Sequence, residues 1–221
     1  MFNVESYMQN VIKLLKESFG DRLLYVGLQG SYLRGEATES SDIDVAVIID
    51  SLSVDDLAVY KGIISKLDEP EKSCGFVCGR EELENWNPLE ICVFLYGTKD
   101  YYGKLSDLLP TYTREDVVSF IKLSVGNLYH ELVHRYLHAD AEKNKRSLPY
   151  SYKSVFFILQ SVYYLKTGVF YQTKKELTKH LSGIDRDVMQ RASSLASGGD
   201  FELDEELSDL LEWCKDTLRS F

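Results

Sequence analysis

The sequence lacks the features of membrane-spanning and secreted proteins. None of its apolar runs is long enough to cross a membrane, and the N-terminal stretch, with Glu5 among polar residues, has no secretory pattern. Cysteine is scarce, and the four thiols show no ligand spacing with histidine: Cys74, Cys78, Cys92 and Cys214. Without a secretory signal, we expect these thiols to be reduced and buried. The sequence therefore predicts a soluble, cytoplasmic protein.

Basic residues are also fewer than acidic residues. The chain has 25 Lys and Arg against 35 Asp and Glu, which gives a net charge of −10 and a pI of about 4.9. General nucleic-acid binders are usually basic, so the balance disfavours that class and is compatible with a cationic small molecule. The length of 221 residues allows one large or two modest domains, and a hydrophobic share of 44% is enough for a full core.

The most informative stretch begins at Gly30. It follows Leu23–Leu28, an apolar run of strand length. A glycine lets the backbone approach a phosphate, and amides exposed at a helix start attract anions, with the Ser31 hydroxyl as a further donor. Asp42 and Asp44 stand two apart at the start of the next apolar strand, so both side chains leave the same face. Two adjacent carboxylates supply the hard oxygen ligands that Mg²⁺ with bound phosphates requires.

The complete pattern is Gly30-Ser31, nine further residues, and then Ser41-Asp42-Ile43-Asp44. It resembles the signature of the polymerase-β-like nucleotidyltransferase superfamily. The resemblance implies that Gly30, Ser31 and Ser41 contact the nucleotide and that the two aspartates hold Mg²⁺, with ATP as cosubstrate. A solvated Asp pair beside a hairpin is the alternative, but it does not explain why a nearly unbroken apolar run follows.

A third carboxylate, Glu90, lies in the apolar run Leu89–Tyr96, which we predict to be a buried strand. A lone carboxylate in such a strand is costly unless it is paired or bound to metal. We therefore predict that Glu90 completes a carboxylate triad with Asp42 and Asp44, as a general base or as a metal ligand. A glutamate that faces water from an edge strand is the alternative.

The sequence predicts an α+β protein. A mixed-sheet nucleotidyltransferase catalytic domain is expected over residues 1–110, with strands at Leu23–Leu28, Ile43–Ile49 and Leu89–Tyr96. An all-α helical bundle domain is expected over residues 111–221, where it covers substrate and nucleotide. Apolar periodicity and punctuating glycines predict its helices near 114–139, 150–166, 174–181, 185–197 and 203–218.

This layout is similar to the two-domain aminoglycoside adenylyltransferases that modify streptomycin and spectinomycin. Pro88-Leu89-Glu90-Ile91 matches the family strand that carries its catalytic base, which falls on Glu90. Thr167-Gly168 followed by Lys174 resembles a turn and a lysine that approach the nucleotide phosphates. In two places the sequence departs from the family. Gln160 stands where the family has an arginine, and Ser147–Lys153 contains none of the carboxylates that hold the drug's amino groups.

The resemblance implies transfer of AMP from ATP, with Mg²⁺, to a hydroxyl of a small, cationic molecule such as an aminoglycoside-like antibiotic, which would confer resistance. No nucleic-acid partner is expected. One alternative is a nucleotidyltransferase that modifies a protein or an RNA, as toxin–antitoxin relatives do. The acidic balance disfavours RNA but not protein. A non-catalytic nucleotide-binding regulator is another alternative, although such proteins usually lose a carboxylate and this chain retains all three.

A second motif, His130-Glu131-Leu132-Val133-His134, matches the zinc-protease pattern, and His138 follows one turn later. The three histidines would lie along one helical stripe rather than around a metal, and no third ligand stands at a suitable spacing. We predict a polar stripe on a helix of the second domain, without a catalytic zinc.

Overall fold

The computed structural model describes residues 2–221. The chain divides into two compact units, Met1–Thr111 and Tyr112–Phe221. The first unit holds a mixed sheet with helices, and the described residues of the second are helical with no strand. The predicted fold class, a mixed sheet followed by an all-helical region, is confirmed. The roles assigned to the two units, catalytic and substrate-covering, stay predictions.

The sheet has four strands in the order β3-β2-β1-β4. Their bounds are Leu23–Leu28 for β1, Ile43–Ile49 for β2, Ser73–Gly79 for β3 and Lys99–Tyr102 for β4. The central strands β1 and β2 are antiparallel, β4 is antiparallel to β1, and β3 is parallel to β2. Two of the three predicted strands are therefore observed.

The prediction of a third strand at Leu89–Tyr96 is wrong. This run is part of helix α5, Pro88–Tyr96, and the fourth strand of the sheet begins after it. The Asn87 side chain caps the helix by accepting a hydrogen bond from the backbone N–H two residues on, at 3.2 Å. The proline occupies the first helical position, where its fixed φ suits a helix and its missing N–H costs nothing. Because a short apolar run suits a strand and a buried helix equally, periodicity alone could not choose.

Helices cover both faces of the sheet. The bounds of the remaining helices of this unit are Val4–Phe19 for α1, Gly30–Arg34 for α2, Val54–Ile64 for α3 and Arg80–Glu84 for α4. One core joins α1 and α3 to one face, and a second joins α4 and α5 to the other. A strand covered on both sides needs apolar residues throughout. In β2 every residue is buried except Asp44, which is half-buried.

The second unit consists of five helices. They are α6 (Arg114–His138), α7 (Ala141–Thr167), α8 (Lys174–His180), α9 (Gly183–Ala196) and α10 (Leu203–Arg219). Helix α6 packs against α7 and α10, and α7 also packs against α9. Across the described residues, no helix combines the length and the apolar character that spanning a membrane demands.

Helix α7 begins nine residues earlier than predicted, at Ala141 rather than Tyr150, and continues through Pro149. Asp140 caps it by accepting a hydrogen bond from the Lys143 backbone N–H at 2.7 Å. Residues of this first segment are also buried in the unit. The cap and this burial outweigh the backbone hydrogen bond that a proline removes from a helix.

A buried carboxylate joins three helices of the second unit. Glu206 in α10 is only 7% exposed, and its Oε2 accepts a hydrogen bond from the Tyr152 hydroxyl at 3.0 Å. The Arg191 guanidinium of α9 forms an ion pair with its other oxygen. Burial raises the pKa of the Tyr152 hydroxyl, and the neighbouring Glu206 charge raises it further, so the phenol stays a donor. The carboxylate is tolerated because both partners satisfy it.

We predict that Arg191→Met destabilises the protein by about 1–3 kcal/mol, since it leaves Glu206 buried without its cation. Because the Arg191 side chain is 32% exposed to water, the loss of stability should be smaller than is usual when one partner of a fully buried ion pair is removed. Urea unfolding followed by far-UV circular dichroism measures the change. As a control, Lys215→Met removes an exposed pair with Glu212 and should shift stability by less than about 0.5 kcal/mol. Equal stability of the two variants would contradict the prediction.

Candidate nucleotide and metal site

Asp44 is the second residue of β2, and Asp42 lies just before the strand, near enough for its charge to act on the Asp44 carboxyl. Asp42 is exposed and Asp44 is half-buried. Burial raises the pKa of the Asp44 carboxyl above its usual value, and the negative charge of Asp42 raises it further. The charge of Arg34 and a hydrogen bond with Cys74 act in the opposite direction but do not cancel the rise. A carboxylate in this condition is stabilised by a bound cation.

The backbone at the start of α2 lies directly against this carboxylate. Gly30 has a φ of +70°, and a Cβ placed there would be 1.8 Å from Asp44 Oδ2. The backbone N–H of Gln29 donates to the Asp44 carbonyl at 2.8 Å, which fixes the spacing of turn and strand. Conformation and space therefore both require glycine. The structure brings together the Gly-Ser turn and the aspartates that the spacing had linked, with Ser31 half-buried as the second residue of α2.

Ser41 closes the turn that precedes β2. Its Oγ accepts a hydrogen bond from the Thr38 backbone N–H at 2.8 Å, and its own N–H donates to the Thr38 carbonyl at 3.1 Å. These bonds set the direction in which the chain enters β2 and so orient Asp42. The predicted contact of Ser41 with the nucleotide stays a prediction.

Glu90 is not a strand residue but the third residue of α5, and it is exposed. Its Oε2 accepts a hydrogen bond from the Trp86 indole N–H at 2.6 Å. Helix α5 packs on the sheet face from which Asp44 projects, where the rings of Phe94 and Phe76 meet at 5.3 Å. The described residues include no group of three His, Cys, Asp or Glu side chains that could hold a metal. Glu90 is thus not brought into one coordinating group with the Asp pair.

Sequence reasoning missed two neighbours of Asp44. Cys74 is exposed rather than buried as predicted, and its thiol forms a hydrogen bond with Asp44. It lies there because β3 runs parallel to β2 with these two residues in register. Arg34, the last residue of α2, is near enough to lower the pKa of Asp44, and its Nε is paired with Glu36 at 3.1 Å. The pairing of Asp44 with Cys74 depends on the register between two strands, which local sequence patterns do not reveal. The position of Arg34, one helical turn after Gly30, was the only signal available.

A third missed contact ties the turn to α5. Gln29 Nε2 donates to Thr98 Oγ1 at 2.8 Å, and this hydroxyl donates to the Phe94 carbonyl at 2.5 Å. Gln29 precedes the Gly-Ser turn, and Phe94 lies in the last part of the helix that carries Glu90. Two side chains thus couple the position of the turn to that of α5.

The other predicted nucleotide contact, Lys174, is the first residue of α8 in the helical unit, and its Nζ lies 5.9 Å from the centre of the Phe156 ring. The predicted turn is present, since α7 ends at Thr167 and Gly168 adopts the left-handed conformation with φ of 75°. Gln160, at the position where the resemblance implied an arginine, is 4% exposed and donates to the Tyr171 carbonyl at 2.7 Å. It therefore supports the turn structurally. The phosphate contact of Lys174 stays a prediction.

The histidine stripe is exposed along α6, as predicted. The ring centres of His130 and His134 are 5.9 Å apart, and those of His134 and His138 are 4.8 Å apart. Among the described residues, these histidines belong to no group of three His, Cys, Asp or Glu side chains that could hold a metal ion.

A family model described as a nucleotidyltransferase domain matches residues 8–98, and no curated protein matches the chain. Among solved structures, the spectinomycin adenyltransferase AAD(9) from Enterococcus faecialis, crystallised with ATP and spectinomycin, is 15% identical with a TM-score of 0.58. The match covers 98% of this chain and 100% of that one, and it establishes a shared fold. A mutant of the toxin–antitoxin complex MntA-HpeT is 22% identical over 62% of this chain and 94% of that one. With a TM-score of 0.33, this second likeness carries no argument.

The matched region contains the Gly30 turn, Asp42, Asp44 and Glu90. The contact between the Gly30 turn and the Asp44 carboxylate lies within this region. Asp44 stands near the start of β2, a central strand of the sheet. The part of the chain that matches a nucleotidyltransferase domain, residues 8–98, is therefore also the part that holds this candidate site.

Proposed function

We propose that this protein transfers AMP from ATP, in the presence of Mg²⁺, to a hydroxyl of a small molecule. The observation that carries the proposal is the contact of the Gly30 backbone with the Asp44 carboxylate, with the Asp42 charge close enough to act on that carboxylate. This arrangement supports a phosphate group and a divalent cation side by side. Both lie in a domain whose family transfers nucleotidyl groups.

The donor set fits Mg²⁺. Asp42 and Asp44 supply hard oxygen atoms, and burial with the nearby Asp42 charge raises the pKa of Asp44, an effect that a bound cation would oppose. Mg²⁺ is usually held by one or two carboxylates, with water and substrate phosphates completing the shell, so two protein ligands suffice. When bound, the metal would neutralise the charge that develops on the phosphates.

The turn at Gly30 and Ser31 would hold the terminal phosphates through backbone N–H groups and the serine hydroxyl. Because α2 has only five residues, these local donors rather than a helix dipole would carry the interaction. Holding the phosphates beside the carboxylates orients the α-phosphorus toward the acceptor, and such positioning supplies most of the rate in reactions of this class.

Glu90 would act as the general base. It takes the proton of the acceptor hydroxyl, the oxygen forms a bond to the α-phosphorus, and the bond between that phosphorus and the bridging oxygen breaks to release pyrophosphate. General-base catalysis typically contributes about 10²–10⁴ in rate. The exposed position of Glu90 at the start of α5 gives an acceptor access to it.

For the acceptor we propose a hydroxylated, cationic small molecule of the aminoglycoside class. The structure that shares the fold holds spectinomycin with ATP, and the net charge of −10 would attract a cation. Pyrophosphate release tests this, with ATP, Mg²⁺ and a panel of spectinomycin, streptomycin and other aminoglycosides. Release that depends on one acceptor, with a product heavier by one AMP by mass spectrometry, supports the proposal. No release with the panel or with a metabolite extract would overturn it.

Asp42→Asn and Asp44→Asn should each abolish AMP transfer without loss of stability. Asn keeps the shape but removes the charge that would hold Mg²⁺. Because burial and repulsion raise the pKa of Asp44, its charge opposes folding at neutral pH, and Asp44→Asn should unfold at an equal or higher temperature. Turnover and thermal unfolding of each variant measure the two effects. Turnover close to that of the parent protein in either variant would exclude the metal role.

Gly30→Ala and Gly35→Ala form a matched pair. Both glycines have left-handed φ, +70° and +67°, so each alanine should cost about 1–2 kcal/mol of backbone strain. Only at position 30 would the new methyl collide with Asp44, because nothing lies within 4 Å of a Cβ at position 35. We expect at least a hundredfold weaker Mg·ATP binding for Gly30→Ala alone, by isothermal titration calorimetry. Comparable binding by both variants would show that the turn does not form the site.

Glu90→Gln keeps the shape of the side chain and removes the proton acceptor. It should retain Mg·ATP affinity and lose turnover by roughly 10²–10⁴, the contribution of a general base. Single-turnover kinetics with nucleotide titration separates the two quantities. A parallel loss of nucleotide affinity would indicate a metal ligand instead, and unchanged turnover would mark a surface carboxylate without a role in transfer.

A further inference from the structure

The Glu90 carboxylate is held by an indole. Trp86 lies just before the Asn87 cap of α5, and Glu90 is four residues further on, so the indole reaches across the first turn of the helix. Its Nε1 donates to Glu90 Oε2 at 2.6 Å. An indole N–H only donates, so this contact cannot itself remove a proton.

The indole is in turn fixed against the sheet. Its ring meets Phe76 edge-on, with ring centres 5.0 Å apart, and Phe76 meets Phe94 of α5 at 5.3 Å. Phe76 lies in β3 opposite Ala46, and the preceding pair on the same face joins Cys74 to Asp44. The aromatic contacts therefore place the indole on the sheet face that carries the metal-binding aspartate.

We propose that Trp86 is a positioning residue that holds the Glu90 carboxylate in the orientation needed to accept the proton of the acceptor hydroxyl; this rests on the proposed role of Glu90 as base. An exposed glutamate otherwise samples many rotamers, because its three side-chain torsions are free. The indole occupies Oε2 and leaves Oε1 for the substrate. The aromatic contacts with Phe76 keep the donor in place before substrate binds.

Trp86→Phe tests the proposal, since it retains an aromatic ring against Phe76 and removes the N–H. We expect kcat of pyrophosphate release with ATP, Mg²⁺ and the best acceptor of the aminoglycoside panel to fall about tenfold. That factor corresponds to about 1.4 kcal/mol, within the net contribution typical of one hydrogen bond. The KM for Mg·ATP should stay within about twofold, because the indole does not contact the turn at Gly30 or the aspartates.

The double variant Trp86→Phe with Glu90→Gln separates positioning from a structural role. If Trp86 acts only through Glu90, the double variant should turn over at the rate of Glu90→Gln alone. Additive losses, or a Trp86→Phe variant with parental kcat beside an impaired Glu90→Gln, would overturn the positioning role and leave the base intact. Parental turnover of Glu90→Gln would overturn the base itself and this inference with it.

The second tryptophan gives a matched control. Trp213 is fully buried in α10, and its Nε1 donates to Asp185 Oδ1 at 2.9 Å, so the same change also removes an indole–carboxylate bond. Trp213→Phe should lower the unfolding temperature but not kcat. It also leaves Trp86 as the sole indole of the chain. In that background Glu90→Gln should shift the fluorescence emission of Trp86. An unchanged spectrum would contradict the hydrogen bond independently of activity.

Discussion

The contact between the Gly30 backbone and the Asp44 carboxylate is the constraint on which the first unit depends. A left-handed backbone without a side chain lets the turn come this close to the half-buried Asp44 carboxylate, where a Cβ would collide with it. The contact requires β1 and β2 to be neighbours, since the turn follows one strand and the aspartate begins the other. It also requires β2 to remain stably packed although the strand contains the charged residue Asp44. The apolar remainder of β2, covered on both faces, provides this stability.

Asp44 illustrates how a site can oppose the fold that contains it. Its carboxylate is half-buried, it faces the like charge of Asp42, and its pKa is raised for both reasons. Arg34 and Cys74 reduce this cost without removing it. A cation between the two aspartates and the phosphates would reverse the sign of the interaction. Local conflict of this kind is expected where function rather than folding selects a residue.

The sequence allowed the glycine turn, the two aspartates and two central strands to be predicted, because all of them are encoded by local spacing. It did not allow α5 to be predicted. An eight-residue apolar run has no periodicity that separates strand from helix, and the deciding signals were the Asn87 cap and the proline at the first helical position. The neighbours of Asp44 depend on strand register, which local patterns do not encode. Cys74 lies beside it only because β3 is parallel to β2.

The change from strand to helix alters what must hold Glu90. In a central strand, neighbouring side chains on both adjacent strands would have confined its carboxylate. At the start of a helix on the surface, backbone geometry fixes the Cβ direction but leaves the remaining torsions free. Orientation must then come from a specific donor, and Trp86, immobilised by Phe76, is the side chain that donates to Glu90 here. The strand assignment would thus have hidden the contact between Trp86 and Glu90, because that contact spans the first turn of a helix.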